Sequence, residues 1–364
     1  MNLQQQTISA RRITLIDALR GIALLAMASY HFTWDLEFFG YASPGLTAHG
    51  PWKLYARCIA SSFLFLVGVS LVLAHGDRIR WQGFWKRFAM VVAAAAAISL
   101  ATYLATPGGF IFFGILHQIA LASVLGLLFL RVPALLTLVA AALVIAAPFY
   151  LRSPVFDHPA LLWVGLSSAD PRSNDYVPLF PWFGAVLIGI GLAKIARAAG
   201  LFERLANVSL GQTLEYPLTF IGRHSLAFYL IHQPVLIGCV WLFAQVWPAP
   251  AQDPKLGFTN ACQASCQDSR DAAFCVRYCG CMLTAVEKDG LLTGIMKGDQ
   301  PASARTRISD LASTCTVQTE DAMSLGNRND RCRTPAVSVA AHRLPDRLNH
   351  RGGPGCSLSP ALVR

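Results

Sequence analysis

Apolar residues dominate roughly the first 248 positions of the chain and are interrupted at regular intervals by short polar stretches. Between these interruptions lie seven apolar stretches of about 20 residues, the length at which an α-helix crosses a bilayer. They span residues 13–32, 56–75, 86–105, 110–130, 133–151, 178–197 and 224–247. The pattern predicts an all-α fold, a polytopic membrane bundle of about seven transmembrane helices over residues 11–248.

Composition supports this prediction, since 54% of the residues are hydrophobic and only 14% are charged. The first apolar stretch has features of a cleavable signal peptide, but Asp17 and Arg20 interrupt it and its apolar character continues beyond Phe32. We therefore expect this helix to be retained. The net charge of +10 comes without a basic patch of interleaved aromatic residues, so we expect no nucleic-acid partner.

The loop cations predict the orientation of the bundle. They are concentrated before the first span and in the loops after spans two, four and six. The residues concerned are Arg11, Arg12, Arg78, Arg80, Lys86, Arg87, Arg131, Lys194, Arg197, Arg204 and Arg223. The positive-inside rule then places the N-terminus in the cytoplasm and the C-terminus in the periplasm of a bacterial inner membrane.

A cysteine-rich segment, residues 249–299, follows the last span. Cys262 and Cys266 form one C-x3-C step, Cys275 and Cys279 form a second, and Cys281 has no evident partner. Each step places two cysteines on one helical face, so two disulfides can staple a helical hairpin on the oxidising side of the membrane. A zinc site and unpaired thiols are the alternatives, although C-x2-C is the commoner zinc spacing.

Both ends of the chain are polar. Residues 1–10 form a polar N-terminal segment, and residues 300–364 contain nine arginines, no lysine and no apolar periodicity. We expect this basic tail to be disordered.

The first span carries ionisable residues at both ends. His31 and Asp35 are spaced i, i+4 at its exit and share a helical face. An imidazole oriented by a carboxylate can act as a general base or as a nucleophile. Ionisable groups at membrane depth are costly, which favours function over the alternative of an interfacial polar pair.

Three further polar positions are candidates for substrate binding. His117 and His232 each precede a glutamine within an apolar span, which indicates either a shared polar cavity or hydrogen-bonded packing between helices. Asp175 precedes the sixth span, where it either orients an acceptor or is a solvated loop residue.

Five segments, in order, resemble the heparan-α-glucosaminide N-acetyltransferase catalytic-domain family, bacterial multi-span relatives of a lysosomal acetyltransferase. They are Arg12, Asp17, Arg20 and Gly21 followed by His31, Asp35 and Leu36; residues 62–70; residues 113–120; residues 175–182; and residues 222–234. The resemblance covers residues 11–247. It implies transfer of an acetyl or other acyl group from cytosolic acyl-CoA to an amino-sugar or sugar-hydroxyl acceptor outside.

The resemblance also implies residue roles and partners. Acetyl-CoA would be the co-substrate, with no metal, and the partners would be the lipid bilayer, acyl-CoA and a glycan or glycolipid. Arg20 and Arg223 would bind CoA phosphates, because arginine recognises phosphate through two parallel hydrogen bonds. In the alternative, Arg20 only forms an ion pair with Asp17 at the start of the helix, and Arg223 only anchors its span at the cytoplasmic surface. The lysosomal enzyme is similar in having a functional histidine in the loop where His49 lies, so His31 and His49 both remain candidates.

Two other classes of function remain open at this point. A transporter of a small solute also has polar residues within its spans, but commonly shows an internal repeat, and none is evident in this sequence. A non-catalytic membrane protein displaying the cysteine hairpin would not need His31. We prefer the enzyme, an N- or O-acetyltransferase.

Overall fold

A computed structural model describes residues 13–169, 171–208, 211–250, 253–267, 269–297 and 301–333. The described residues form two compact units, which divide near residue 250. The first unit contains the apolar helices and the second contains the cysteine-rich segment. The predicted polar segment at residues 1–10 lies outside the described residues, as do Arg11 and Arg12.

The described residues of the first unit form nine α-helices, joined in places by short 3-10 turns. They are α1 (Thr14–Phe38), α2 (Gly50–His75), α3 (Trp81–Ala105), α4 (Ile115–Phe129), α5 (Ala134–Tyr150), α6 (Leu179–Ala198), α7 (Leu201–Leu205), α8 (Gln212–Arg223) and α9 (Ser225–Val246). The all-helical prediction is confirmed. The seven predicted spans correspond to α1 to α6 and α9.

Five of these helices, α1, α2, α3, α6 and α9, are long and apolar enough to cross a membrane. The protein is therefore an integral membrane protein. Helices α4 and α5 are apolar but shorter, with 15 and 17 residues, so a count of seven spans stays a prediction.

The centre of the bundle depends on close packing between α2 and α6. A Cβ atom on Gly189 would lie 2.2 Å from the Phe65 carbonyl oxygen and 3.2 Å from the Gly68 Cα atom. Glycine thus lets the two backbones touch, as is common between membrane helices. Leu64, Leu187 and Ile190 are fully buried beside this contact.

The loop between the sixth and seventh predicted spans contains two helices, α7 and α8, that the apolar pattern does not indicate. Helix α8 is amphipathic and exposes Leu214, Tyr216 and Phe220. Its other side packs against α1. The candidate site lies beside this contact between α1 and α8.

The second unit contains α10 (Pro254–Gln267), α11 (Ala272–Lys288), α12 (Leu292–Lys297) and α13 (Ala302–Arg333). Disulfides Cys262–Cys279 and Cys266–Cys275 join α10 to α11, which confirms the stapled hairpin and disfavours zinc. Cys281 does have a partner, since it is bonded to Cys315 of α13.

Helix α13 corrects the prediction that residues 300–364 are disordered. Leu311, Cys315 and Thr319 are buried at i, i+4 and i+8, and Leu311 and Cys315 pack in one core with Phe258 and Val286. This short stripe of buried residues at helical spacing indicates a helix, but it is easily overlooked in a segment rich in arginine and other polar residues. Residues 334–364 lie outside the described residues, so disorder there stays a prediction.

Candidate active site

Helices α1 and α8 touch backbone to backbone at two glycines. A Cβ atom on Gly21 would lie 2.2 Å from the Leu218 carbonyl oxygen, and one on Gly222 would lie 1.8 Å from the Asp17 carbonyl oxygen. Neither distance is compatible with a side chain. Each glycine adjoins an arginine in sequence, so the contact brings Arg20 and Arg223 towards each other.

Asp17 is the anion between these two arginines. Its side chain is almost completely buried, Oδ1 accepts a hydrogen bond from Arg20 Nη1 at 2.9 Å, and Oδ2 lies 3.6 Å from Arg223 Nε. Arg20 also donates to the Ser70 hydroxyl of α2. The orientation of Arg20 is therefore set by two different helices.

A cavity of about 360 Å³ opens beside this ion network. Its polar lining includes Arg20, Arg223 and Arg87, the last contributed by α3. Much of the remaining wall is apolar, with Leu24 and Phe63 among its residues. The cavity thus combines three guanidinium groups with an apolar wall, at the end of the bundle that the loop charges predict to be cytoplasmic.

Farther along α1 and α9, two histidines from different helices lie side by side. The ring centroids of His31 and His232 are 5.0 Å apart, with an angle of 62° between the rings. His232 is only 9% exposed, and its Nδ1 lies 2.7 Å from the Tyr229 carbonyl oxygen. Its Nε2 is buried and has no hydrogen-bond partner within the described part of the chain.

Asp35 meets a residue of α9 in addition to sharing a face with His31, and its predicted role in orienting His31 stays a prediction. Its Oδ1 accepts a hydrogen bond of 2.6 Å from Gln233 Nε2 of α9, and the residue is fully buried. Spacing along α1 places Asp35 and His31 on one face, but the packing of α9 decides which neighbour each of them meets.

His117 is engaged at the start of α4. Its Nδ1 accepts from the Gly114 backbone N–H at 3.2 Å, and its Nε2 lies 3.2 Å from the Ser99 hydroxyl. The adjacent Gln118 is fully buried. Among the described residues, no hydrogen bond or ring contact joins this pair to His232 and Gln233, so the shared cavity stays a prediction.

Asp175 lies at the same helix start as His117 and is partly buried. Its Oδ2 accepts from the Ile115 backbone N–H at 2.9 Å, and a Cβ atom on Gly114 would come within 2.3 Å of that oxygen. Burial raises the pKa of Asp175 to about 6, because it disfavours the ionised carboxylate, although the hydrogen bond from Ile115 favours it. The contacts are those of a helix cap.

His49 immediately precedes α2, after a 3-10 turn at Leu46–Ala48. Two hydrogen bonds from Thr47 to Glu37 hold this turn, at 3.0 and 2.7 Å. The Tyr30 hydroxyl also donates to the Thr47 carbonyl oxygen at 3.2 Å. The turn is therefore tied to α1 beside His31, while His49 is outside the His31–His232 pair.

The family model described as Heparan-alpha-glucosaminide N-acetyltransferase, catalytic, matches residues 12–234. The chain belongs to this family. Membership makes it a membrane acyltransferase, and all eight predicted site residues lie within the matched range. Comparison with curated proteins found no match, and comparison with solved structures found none either.

Three residues of this candidate site are missed by the sequence pattern. Arg87 reads as a loop cation but lies inside α3, which begins six residues before it at Trp81. Gln233 is noticed only as a neighbour of His232, and Ser70 only as part of an apolar motif. The signal for Arg87 and Ser70 was their placement near the same end of the bundle as Arg20.

Proposed function

We propose that this acyltransferase moves an acetyl or other acyl group from cytosolic acyl-CoA to an amino-sugar or sugar-hydroxyl acceptor on the outer side of a bacterial inner membrane. The observation that carries the proposal is the convergence of Arg20, Arg87 and Arg223 on one cavity. A single enzyme in the membrane suits this reaction, because donor and acceptor lie in different compartments.

The arginine cavity fits the charged part of acyl-CoA. Guanidinium groups bind phosphate through paired, charge-assisted hydrogen bonds. Asp17 holds Arg20 and Arg223 in place through the contacts described above, so less side-chain freedom is lost when an anion binds. Acetyl-CoA is a co-substrate in this proposal.

The cavity also leads towards the histidines. Tyr229 lines the cavity, and its ring centroid is 5.7 Å from that of His232. On α1, Arg20 and His31 are eleven residues apart, about 16 Å at the helical rise. An acyl-CoA with its phosphates at the arginines would extend its long pantetheine arm along the apolar wall, towards this pair.

His31 is our first candidate for the group that meets the acceptor. It would deprotonate the attacking amine or hydroxyl, or carry the acyl group itself, and His49 is the second candidate for the same role. The contacts of His117 and Asp175 favour a role in shaping the start of α4, so acceptor binding is assigned first to the surroundings of His31 and His232.

Acyl transfer from radiolabelled acetyl-CoA in inverted membrane vesicles tests the proposal. We expect wild type to label an amino-sugar or polysaccharide acceptor and His31→Ala to lose the label while His49→Ala keeps it. Loss only in His49→Ala would move the reaction to the loop. Absence of transfer by folded wild type across a broad acceptor panel would contradict the proposal, and solute flux in the same vesicles would then be measured.

A further inference from the structure

We propose that His232 is the positioning partner of His31, in the role that the sequence pattern assigns to Asp35. The inference rests on the proposed acyl transfer and adds a residue to it. His232 lies on α9, 201 positions from His31 in the chain, and only the packing of α1 against α9 brings the two rings together.

The contacts of His232 define where its proton lies. A backbone carbonyl oxygen can only accept a hydrogen bond, so Nδ1 of His232 must donate to Tyr229 and carry the proton. A neutral imidazole has one N–H, and its other nitrogen then carries a lone pair. Nε2 is therefore an acceptor, and it is one of the buried side-chain atoms that have no hydrogen-bond partner among the described residues.

The surrounding rings hold this imidazole in place. The Phe228 ring is nearly parallel to it, at an angle of 2° and a centroid distance of 6.1 Å, and the Tyr229 ring packs beside it. A ring held by two aromatic neighbours and a backbone hydrogen bond presents its lone pair in a constant direction. The His31 ring, at 5.0 Å, is close enough for one of its nitrogens to reach Nε2 after a small side-chain rotation.

Asp35 is less suited to this role because its contacts lie elsewhere. One carboxylate oxygen is bonded to Gln233, and the residue is fully buried. A carboxylate held in this way shapes the packing of α1 against α9. The other oxygen, Oδ2, is a buried acceptor without a partner among the described residues, as His232 Nε2 is. The choice of His232 therefore rests on its ring, which lies 5.0 Å from that of His31.

The chemical step can then be written in full. The acceptor N–H or O–H loses its proton to one nitrogen of His31 as its N or O atom bonds to the acyl carbon. His232 Nε2 accepts a hydrogen bond from the other nitrogen of His31 and stabilises the imidazolium. The carbon–sulfur bond breaks, and the CoA thiolate takes the proton from His31, which returns the pair to its starting state.

The test compares His232→Leu, His232→Gln and Asp35→Asn in the full-length protein in detergent or vesicles. Leucine fills the space without an acceptor, glutamine restores a neutral acceptor, and asparagine removes only the Asp35 charge. We expect His232→Leu to lower kcat about 10²-fold or more with the KM for acetyl-CoA unchanged. His232→Gln should recover much of this loss, and Asp35→Asn should stay within about threefold of wild type.

Hydroxylamine, a nucleophile that needs no base, separates positioning from general damage. We expect His232→Leu to transfer acetyl to hydroxylamine at close to the wild-type rate. Equal loss with both acceptors, a hundredfold loss in Asp35→Asn, or wild-type kcat in His232→Leu would each overturn the assignment.

The remaining outcomes are also decisive. If His232→Leu does not fold, Asp35→Asn and His232→Gln decide, since a positioning role requires both to retain activity. His158→Gln is the matched control, an exposed histidine in the loop between α5 and α6 that does not line the cavity. Lack of acetyl-CoA binding by wild type would overturn the proposed function and this inference together, whereas normal wild-type transfer with an unaffected His232→Leu would overturn only the inference.

Discussion

The Asp17 carboxylate of α1 lies 3.6 Å from the Arg223 guanidinium at the end of α8, beside a point where the two helices touch backbone to backbone. The contact is possible because residue 222 has no side chain. The ion pair between Asp17 and Arg223 in the candidate acyl-CoA site thus depends on the absence of a side chain at the neighbouring Gly222. Substitutions can separate these two contributions.

Gly222→Ala should displace α8 from α1, because the new methyl group would lie 1.8 Å from the Asp17 carbonyl oxygen. We expect a loss of about 1–3 kcal/mol in stability and weaker acetyl-CoA binding. Thermal unfolding in detergent and equilibrium binding measure the two effects. Gly238→Ala is the matched control, since among the described residues nothing beyond its chain neighbours and its own helix backbone lies within 4 Å of its Cβ position. Equal behaviour of the two variants would contradict the close contact.

Arg87→Ala should weaken acetyl-CoA binding with little change in thermal stability. A hydrogen bond to a charged group contributes about 1.5–3 kcal/mol, which corresponds to roughly 10- to 150-fold in Kd. Arg87→Lys should recover only part of the affinity, because lysine lacks the planar fork. Arg131→Ala removes an exposed cation that does not line the cavity and should bind like wild type. An unchanged Kd in Arg87→Ala would remove this residue from the site.

Asp35→Ala should destabilise the fold more than Asp35→Asn. Alanine leaves the amide of Gln233 without its acceptor, at a cost of about 1–3 kcal/mol, whereas asparagine still offers a carbonyl oxygen to Gln233 Nε2. The measurement is the melting temperature in detergent. If both variants melt together, the Asp35–Gln233 bond does not stabilise the packing of α1 against α9.

Asp175→Asn should change how stability depends on pH. The folded-state pKa of Asp175, about 6, is above its ordinary value of 3.8, so the protonated form favours folding. That contribution is complete below about pH 4 and is lost as the pH rises through about 6. Asparagine keeps an acceptor for Ile115 without a charge, so its melting temperature should match wild type at low pH and exceed it at pH 7.

Asp175→Ala is the control for the helix cap. It removes the acceptor at every pH, at a cost of about 0.5–2 kcal/mol. If Asp175→Asn follows the wild-type curve at all pH values, the carboxyl group is not buried as described.

Cys315→Ser should loosen α13 and leave the stapled hairpin intact. The Cys281–Cys315 bond closes a loop with a sequence separation of 34, and such a bond contributes about 2–4 kcal/mol. Limited proteolysis of the full chain should show new cleavage in α13, with α10 and α11 still protected by their two disulfides. Cleavage spread equally over all three helices would mean that the unit unfolds as a whole.

Much of the fold follows from local patterns. Apolar stretches of membrane length predict the seven principal helices to within a few residues at most boundaries, although α1 ends at Phe38 rather than near residue 32 and α2 begins at Gly50 rather than near residue 56. The C-x3-C steps predict the hairpin, because helical periodicity alone places each cysteine pair on one face. Cys315 escaped this reasoning because its partner lies 34 positions away in a polar segment.

The candidate site is less visible in the sequence. The motif predicts His31, Arg20 and Arg223 as functional residues, and the structure places the two arginines around Asp17 and one cavity. It also shows that Asp35 contacts Gln233 and that His31 contacts His232, and both of these partners lie on α9.

The sequence by itself determined that the chain is an all-helical membrane protein of an acetyltransferase family with a disulfide-stapled hairpin. These features depend on hydrophobicity, helical spacing and motifs, which are local properties. Only the tertiary structure decided which polar groups meet. The contacts Asp17–Arg223, Asp35–Gln233 and His31–His232 join residues about 200 positions apart, and they exist because α8 and α9 pack against α1.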